Sequence, residues 1–144
     1  MPAVVALLKR AGLPVADLTS IAGLQLWVLE GTDGVVGAIA MERCGSQALL
    51  RSLAVAPEYR NCGFGRELVA RLEEAARTDE LTQLVLLTQT AETFFRSLGY
   101  EVTDRNEVSD TLKQSAEFRS LCPASAVCMS KRLPHRQLKE RADD

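Results

Sequence analysis

Hydrophobic and polar positions divide the chain into short apolar runs and longer stretches with helical spacing. In the first half the apolar runs predict three strands, at residues 24–30, 35–42 and 47–55. Asp33 and Gly34 lie between the first two runs, and this pair is a strong signal for a tight hairpin turn. The three strands are therefore expected to form an antiparallel meander.

The second half alternates helices with strands. Leu68, Val69 and Leu72 recur on one helical face, which predicts a helix from about residue 62 to residue 77. Beyond it the pattern predicts a buried strand, a helix, a strand, a helix and a last strand, at residues 84–88, 91–98, 100–104, 109–121 and 126–133. This alternation indicates a parallel pair at the sheet centre. The predicted fold class is α/β (α+β), with a mixed, mostly antiparallel sheet flanked by helices.

The two ends of the chain are predicted to differ in order. Residues 3–11 have the pattern of a helix that Gly12 and Pro14 end, and residues 15–21 add a helical turn. Residues 134–144 are charged and are predicted to form a loose polar tail. A chain of 144 residues fits one domain, which we expect to span residues 1–133.

Composition and charge exclude several kinds of partner. Hydrophobic residues make up 47% of the chain and the net charge is -2, with acids and bases mixed, so neither nucleic acid nor a membrane surface is expected as a partner. No apolar run is long enough to span a bilayer and no signal peptide is evident, so a cytoplasmic location is expected. The four cysteines form no Cys-x-x-Cys pair, and the one histidine, His135, lies in the tail. No metal site is therefore expected, and the cysteines are predicted to be free thiols.

A loop with Gly63 and Gly65 connects the third strand to the first long helix. A helix that begins after such a loop presents backbone N–H groups without helical partners, and its dipole adds positive character. The loop therefore predicts a phosphate or pyrophosphate site. It is neither a Walker loop, because no Gly-Lys-Ser/Thr follows, nor a dinucleotide fingerprint, because only two glycines are present. The alternative is a plain connection whose glycines serve only the backbone geometry.

The pattern Arg60-x-x-Gly63-x-Gly65 resembles the acetyl-CoA signature of the GNAT N-acetyltransferase superfamily. A second motif of that family is matched downstream at Ala91, Phe94, Gly99 and Tyr100. The resemblance extends over nearly the whole chain and implies the GNAT fold, acetyl-CoA as cosubstrate and N-acetyltransferase activity. Family members begin with a strand before their first helix. Because this chain begins almost at that helix, the first strand is expected to be missing, with the sheet edge exposed or covered by a partner chain in a homodimer.

The resemblance also implies which residues bind acetyl-CoA. In the family the loop wraps around the pyrophosphate. The pantetheine arm lies where the strand before the loop diverges from the next strand, which here ends at Leu87 and Thr88. The implied cofactor-binding residues are Leu53, Ala54, Val55, Arg60, Asn61, Cys62, Gly63, Phe64, Gly65, Arg66, Thr88, Ala91, Phe94 and Phe95. Of the two phenylalanines, Phe94 is also expected to pack in the core.

The family's catalytic groups are only partly matched. Phe95 occupies the position where many members have the Tyr that protonates the CoA thiolate, and Phe cannot donate a proton. The acid is then another group, or water, or the thiolate leaves unaided. Leu49 stands where some members have a general-base Glu. Glu42 and Glu117 are the tentative base candidates, and the alternative is that both are solvated surface charges.

Arg51 and Ser52 are the candidate acceptor-binding residues, and strand alternation predicts that one of the two points inward. Arg51 suits an acceptor with a carboxylate or another oxyanion, and the alternative is an outward salt-bridged arginine. Residues 48–55 and 116–126 resemble the GNAT branch found with bacterial arsenic-resistance genes, which implies an amino acid or an analogue of glutamate as acceptor. Thiolates of Cys122 and Cys128 suit trivalent arsenic, but both are predicted mainly as small buried residues.

Two other functions stay open at this point. One is a CoA-binding sensor or regulatory module without turnover, which Phe95 and Leu49 favour because they replace the family's acid and base. The other is a protein or peptide N-acetyltransferase, which needs an open acceptor groove. The helix predicted at residues 109–121 favours a covered site and a small-molecule amine instead.

Overall fold

The structure is a computed structural model that describes residues 6–7, 24–32, 34–113 and 126–134. Its strands in this part of the chain are β1 (Leu24–Gly31), β2 (Gly34–Cys44), β3 (Gln47–Val55), β4 (Gln83–Thr88), β5 (Glu101–Val102) and β6 (Val127–Arg132). Its helices are α1 (Phe64–Thr78), α2 (Glu92–Ser97) and α3 (Asp110–Lys113), with 3-10 turns at Pro57–Tyr59 and Arg105–Glu107. The six strands form one sheet in the order β1-β2-β3-β4-β6-β5.

The sheet combines antiparallel and parallel pairing. β1 and β2 are antiparallel from Leu24 opposite Glu42 onward, and β6 is antiparallel to both β4 and β5. β3 and β4 run parallel, with Gln47–Leu49 paired to residues 83–85. The predicted mixed, mostly antiparallel sheet with a central parallel pair is therefore confirmed.

The described residues fall into two compact units, of which the first contains those up to Glu42 together with Leu50–Leu72. Small side chains dominate one of its clusters, where Ala38, Ala54 and Ala56 are buried together. A Cβ on Gly37 would lie 3.2 Å from a methyl group of Leu68 and 3.5 Å from the carbonyl oxygen of Ala54. A glycine at this point of β2 therefore lets the start of α1 pack closely on the strands.

The second unit contains Arg43–Leu49 together with the described residues from Glu73 onward. One cluster of its buried side chains joins the end of β2 to β3, β4, β6 and α3, and it comprises Cys44, Leu49, Val85, Val108, Leu112 and Cys128. α3 begins after Ser109, whose Oγ accepts a hydrogen bond from the Leu112 amide at 3.2 Å. This side-chain cap satisfies one of the free N–H groups at the helix start.

Most predicted elements are confirmed to within two residues, and one is wrong in length. The strand predicted at residues 100–104 is reduced to Glu101 and Val102 in β5. It ends there because the Asp104 side chain accepts a hydrogen bond from the Asn106 amide at 2.9 Å and starts a 3-10 turn.

Several predictions fall on residues outside the described part of the chain. Of the predicted N-terminal helix only Ala6 and Leu7 are described, and both are helical. The helix predicted at residues 109–121 is described as far as Lys113. The helical turn at 15–21, the base candidate Glu117, Cys122, His135 and the rest of the tail lie outside the described residues. The boundary between a domain at 1–133 and a tail stays a prediction.

Two further features concern the described ranges alone. None of their helices has the length and apolar character needed to cross a membrane. No group of three or more His, Cys, Asp or Glu side chains in these ranges is arranged to hold a metal ion. Cys44, Cys62 and Cys128 are free thiols, and of these only Cys62 is exposed.

Candidate functional site

The loop between β3 and α1 has an unusual backbone. Asn61 and Gly63 both adopt positive φ, at 64° and 82°. A left-handed residue next to right-handed or extended ones turns successive N–H groups toward one side, which makes an anion-binding concavity. A Cβ on Gly63 would meet no atom within 4 Å, so the space beside this residue is open. Gly63 is needed there for its φ rather than for lack of room.

Helix α1 adds its N-terminus to this loop. The first helical hydrogen bond runs from the Glu67 amide to the Gly63 carbonyl oxygen at 3.0 Å. The amides of Phe64, Gly65 and Arg66 precede that bond, so they point out of the helix end. The positive end of the helix dipole lies at the same place. Phe64 and Gly65 are half-buried, whereas Arg66 is exposed.

The loop is exposed to solvent and is attached to the end of β3 by a side-chain hydrogen bond. Arg60, Asn61 and Cys62 are exposed. The Nε of Arg60 donates to the Val55 carbonyl oxygen at 3.2 Å, which ties the loop back to the end of β3. Two arginines, a row of amides and a helix N-terminus fit the size and charge of a diphosphate. The predicted pyrophosphate residues 60–66 thus lie together in the exposed loop and the first turn of α1, within the first unit.

β3 departs from regular alternation just before this loop. Ser52 has a φ of 61° although it lies inside a strand and is not a glycine. Such a left-handed residue costs about 1–2 kcal/mol and shifts which side of the strand the following residues face. Arg51 and Ser52 are both buried, at 2% and 5% exposure. Because five consecutive residues of β3, from Ala48 to Ser52, are buried, both faces of this strand are covered. The prediction that one of the two side chains points toward the acceptor site therefore stays a prediction.

The buried Arg51 is paired with one of the base candidates. Its Nη1 lies 3.3 Å from Glu42 Oε1, and the exposed fractions of the two side chains are 0% and 14%. Neither is a solvated surface charge. Ser52 Oγ is also buried, and it has no hydrogen-bond partner among the described residues. A buried hydroxyl of this kind is rare in folded proteins.

The second family motif lies in the other unit, at the end of β4 and in α2. The Ala91 amide donates to Thr88 Oγ1 at 3.0 Å, so the Thr88 hydroxyl is oriented by the turn that starts α2. Phe95 is buried at 4% exposure and makes edge-to-face contacts with Phe94 and Tyr100, at ring distances of 5.1 and 5.5 Å. Phe94 is only half-buried. Of these two rings, Phe95 is therefore the one that packs in the core, whereas the sequence favoured Phe94.

Tyr100 belongs to a buried polar cluster, with Glu73 and Lys131, that was not predicted from the sequence. Its hydroxyl donates to Glu73 Oε2 at 2.9 Å, and Lys131 Nζ lies 3.1 Å from the same oxygen. Burial, and then the Glu73 carboxylate, raise the pKa of Tyr100 far above its ordinary value, so this hydroxyl stays protonated at neutral pH. The available signal was the position of Glu73 on the apolar face of α1, four residues after Val69 and three before Ala76.

The buried thiol of Cys128 is expected to make the free energy of unfolding depend on pH in the alkaline range. Burial raises the pKa of its thiol to about 11, and the nearby Arg105 offsets only part of this. Because the folded state favours the neutral thiol, its stabilising effect is complete below the ordinary pKa of 9.0 and is lost as the pH rises toward about 11. The free energy of unfolding should fall by up to about 1.4 kcal/mol per pH unit in this window.

Urea unfolding of the wild type and of Cys128→Ala between these pH values measures this effect. The variant should show a shallower fall, whatever its stability at neutral pH. The exposed Cys62→Ala is the matched control and should follow the wild type. Equal slopes for the wild type and Cys128→Ala would contradict the assignment.

Comparison with known proteins decides the family. A family model described as "Acetyltransferase (GNAT) domain" matches residues 22–102, which is more than half of the chain. The chain belongs to the GNAT acetyltransferase family. The matched region contains the loop 60–66, Arg51, Ser52 and the α2 motif, so the sites described above lie within the GNAT domain. Members of this family use acetyl-CoA as the acetyl donor.

Solved structures show the GNAT fold over most of the chain. An acetyltransferase of the GNAT family from Staphylococcus aureus Mu50 superposes with a TM-score of 0.75 at 15% identity and covers 92% of both chains. N-acetylglutamate synthase from Neisseria gonorrhoeae, complexed with coenzyme A and N-acetyl-glutamate, gives a TM-score of 0.79 at 19% identity. That alignment covers 94% of this chain but 33% of the synthase.

A sequence relative points in the same direction over a shorter stretch. An amino-acid acetyltransferase from Ectopseudomonas mendocina (strain ymp) is 44% identical over 63 residues. The match covers 44% of this chain and 14% of the relative, so this GNAT domain corresponds to a small part of that protein.

Proposed function

We propose that this GNAT domain transfers an acetyl group from acetyl-CoA to the primary amine of a small acceptor, an amino acid or an amino-acid analogue. The observation that carries the donor half is the exposed loop 60–66, with left-handed Asn61 and Gly63 and the open N-terminus of α1. The acceptor half is supported by the partial identity to an amino-acid acetyltransferase.

In this proposal each part of the site has a role toward the donor. The amides of residues 61–66 and the side chains of Arg60 and Arg66 hold the diphosphate. A backbone N–H of Leu53–Val55 polarises the thioester carbonyl, as an oxyanion-hole donor does. Thr88, Ala91 and Phe94, which the family resemblance implies as donor contacts, belong to the second unit, where the buried Phe95 packs edge-to-face against Phe94.

The acceptor side depends on buried polar groups. Ser52 Oγ is a buried hydroxyl with no hydrogen-bond partner in the described ranges, and it is a candidate contact for the acceptor. The guanidinium of Arg51 has no exposed surface and is paired with Glu42, so in this proposal it favours an acceptor with a carboxylate or a related oxyanion through its charge and not through direct contact. The amine loses its proton to a carboxylate acting through water, for which Glu117 stays a candidate.

Protonation of the leaving thiolate has no assigned side chain. Phe95 cannot donate a proton, and the Tyr100 hydroxyl is held by Glu73. Water, or departure of the thiolate without protonation, fits these residues. A second candidate is a CoA-binding sensor without turnover. It is favoured by the buried Phe95 and the buried Leu49, which stand where many family members have a Tyr and some have a Glu.

A thiol-release assay with acetyl-CoA separates these functions. The panel holds the common amino acids, glutamate analogues with phosphinate or arsenical side groups, and a peptide with a free N-terminus. Turnover is expected with amino-acid amines and not with the corresponding hydroxy acids. Acetylation of the arsenical analogue in preference to glutamate would support the arsenic-related branch. Acetyl-CoA binding without acetylation of any amine would indicate the sensor, and turnover on the peptide alone would indicate a protein acetyltransferase.

The quaternary state is part of the same proposal. β1 pairs with β2 on one side, and it stands at the end of the described sheet order. A homodimer that covers this edge would leave the strand fully paired. Light scattering of the purified protein distinguishes a dimer from a monomer.

A further inference from the structure

Arg51 and Glu42 form an ion pair beside the irregular point of β3. The Arg51 side chain has 0% exposure, so its charge has lost the stabilisation that water would give. Glu42, on the neighbouring strand β2, places Oε1 3.3 Å from Arg51 Nη1. A buried guanidinium that loses a carboxylate partner is strongly unfavourable, so this pair holds the two side chains, and the strands that carry them, in one arrangement.

The pair lies directly before the left-handed residue. Ser52 follows Arg51 and has a φ of 61°, which an L-residue adopts only where its surroundings impose it. The side chain of Arg51 is anchored to β2 through Glu42, so the residue before the turn cannot rotate freely. The Arg51–Glu42 ion pair therefore lies directly before the residue at which the regular strand geometry is interrupted.

The segment after Ser52 is anchored at its other end as well. The Ala56 amide donates to the Val36 carbonyl oxygen at 2.8 Å, which again joins the chain to β2. The Arg60 side chain donates to the Val55 carbonyl oxygen at 3.2 Å. Residues 53–55, the end of strand β3 beside β2, are thus flanked by the Arg51–Glu42 pair and by the Ala56–Val36 hydrogen bond.

We propose that Glu42 and Arg51 are a positioning pair that fixes the direction of β3 at Ser52 and so aims the backbone amides of Leu53–Val55 at the acetyl donor. This inference rests on the proposed function for what those amides contact. Glu42 then acts through Arg51 and not as the base that takes a proton from the acceptor. Arg51, whose side chain has no exposed surface, acts by holding the strand and by its charge.

The test compares Glu42→Gln, Arg51→Gln and the double variant with the wild type. Each single variant should lower kcat at least about tenfold, because a small displacement of groups that meet the reacting carbonyl is costly. Calorimetry should show weaker acetyl-CoA binding in both single variants, with a similar loss of affinity in each. The double variant should lose no more than the worse single variant, since both changes break one unit.

The pH profile of kcat/KM separates positioning from proton transfer. A positioning role leaves the apparent pKa of the acidic limb unchanged in Glu42→Gln while the plateau falls. Disappearance or displacement of that limb would overturn the proposal, and so would additive losses in the double variant. Asp79→Asn is the matched carboxylate-to-amide control. Asp79 forms a surface ion pair with Arg43, the residue after Glu42, and the side chains of Arg43 and Asp79 are 39% and 35% exposed, respectively. It should keep wild-type kcat and affinity.

Two further variants keep the test decisive. If Glu42→Gln does not fold, Glu42→Asp keeps the charge and moves it, and it should lower kcat with an unchanged pH profile. Ser52→Gly relieves the left-handed strain and should fold at least as well as the wild type. If the wild type binds acetyl-CoA but acetylates no amine, the proposed function fails and the affinity measurements still judge the pair. Unchanged acetyl-CoA affinity in both single variants would then overturn the proposed positioning role of Glu42 and Arg51.

Discussion

Gly65→Asp is expected to weaken acetyl-CoA binding at least about 100-fold, because a carboxylate beside the bound diphosphate adds repulsion of several kcal/mol. Gly65 is the second residue of α1, and its amide is among those that precede the first helical hydrogen bond. The new side chain would occupy the space in which the diphosphate is proposed to lie. Isothermal calorimetry with acetyl-CoA measures the change.

Folding should not suffer from this substitution. An acidic residue in the first turn of a helix interacts favourably with the helix dipole, and replacement of a helical glycine removes backbone freedom from the unfolded chain. The variant should therefore have a Tm equal to or above that of the wild type. Loss of binding can then be assigned to the site.

Two control variants separate charge from bulk and from unfolding. Gly65→Ala adds a side chain without charge and should weaken binding much less than Gly65→Asp. Gly45→Asp places the same carboxylate in the turn between β2 and β3, where φ is 69° and a Cβ meets no atom within 4 Å. It should bind acetyl-CoA as the wild type does. If Gly65→Asp binds acetyl-CoA normally, the loop is not the diphosphate site.

Glu73→Gln is expected to lower the free energy of unfolding by about 3 kcal/mol, because it removes the charge at the centre of a buried cluster. Glu73 is 7% exposed, and its carboxylate meets Lys131, Arg77 and the Tyr100 hydroxyl. The amide leaves the two cations without their counter-charge and offers one acceptor oxygen where there were two. Urea unfolding followed by circular dichroism measures the difference.

The same helix supplies the control for this prediction. Glu67 pairs with Arg71 one helical turn away at 3.0 Å, and these side chains are 45% and 60% exposed, respectively. Glu67→Gln removes the same kind of charge from solvent-exposed surroundings and should change the free energy of unfolding by less than about 1 kcal/mol. Similar values for Glu67→Gln and Glu73→Gln would contradict the structural role of the buried cluster.

Sequence patterns predicted the elements well because each depends on a local signal. The hairpin at Gly34, the bounds of β3 and the helix after the glycine loop follow from periodicity and from turn residues within a few positions of one another. The parallel pairing of β3 with β4 follows from the alternation of strands and helices. β5 was predicted too long because the Asp104 side chain competes with the strand for backbone N–H groups.

The kind of site could be predicted from the sequence, but the three-dimensional arrangement of its residues could not. The motif at Arg60, Gly63 and Gly65 indicated a diphosphate loop, because glycine positions and a helix start are visible in the sequence. The left-handed φ of Ser52 was not visible, since serine carries no sign of a positive φ. The burial of both Arg51 and Ser52 was not visible either, because it depends on the elements that cover the two faces of β3.

The amino-acid sequence by itself therefore determined the order of strands and helices, the GNAT resemblance and the location of the glycine loop proposed to bind the diphosphate. All of these are encoded in residues that lie near one another along the chain. Only the tertiary structure decided that Arg51 pairs with Glu42 and that Tyr100 pairs with Glu73, which is 27 positions away. Such pairs form because burial removes charged and polar groups from water, and their partners are then chosen by the packing of distant segments.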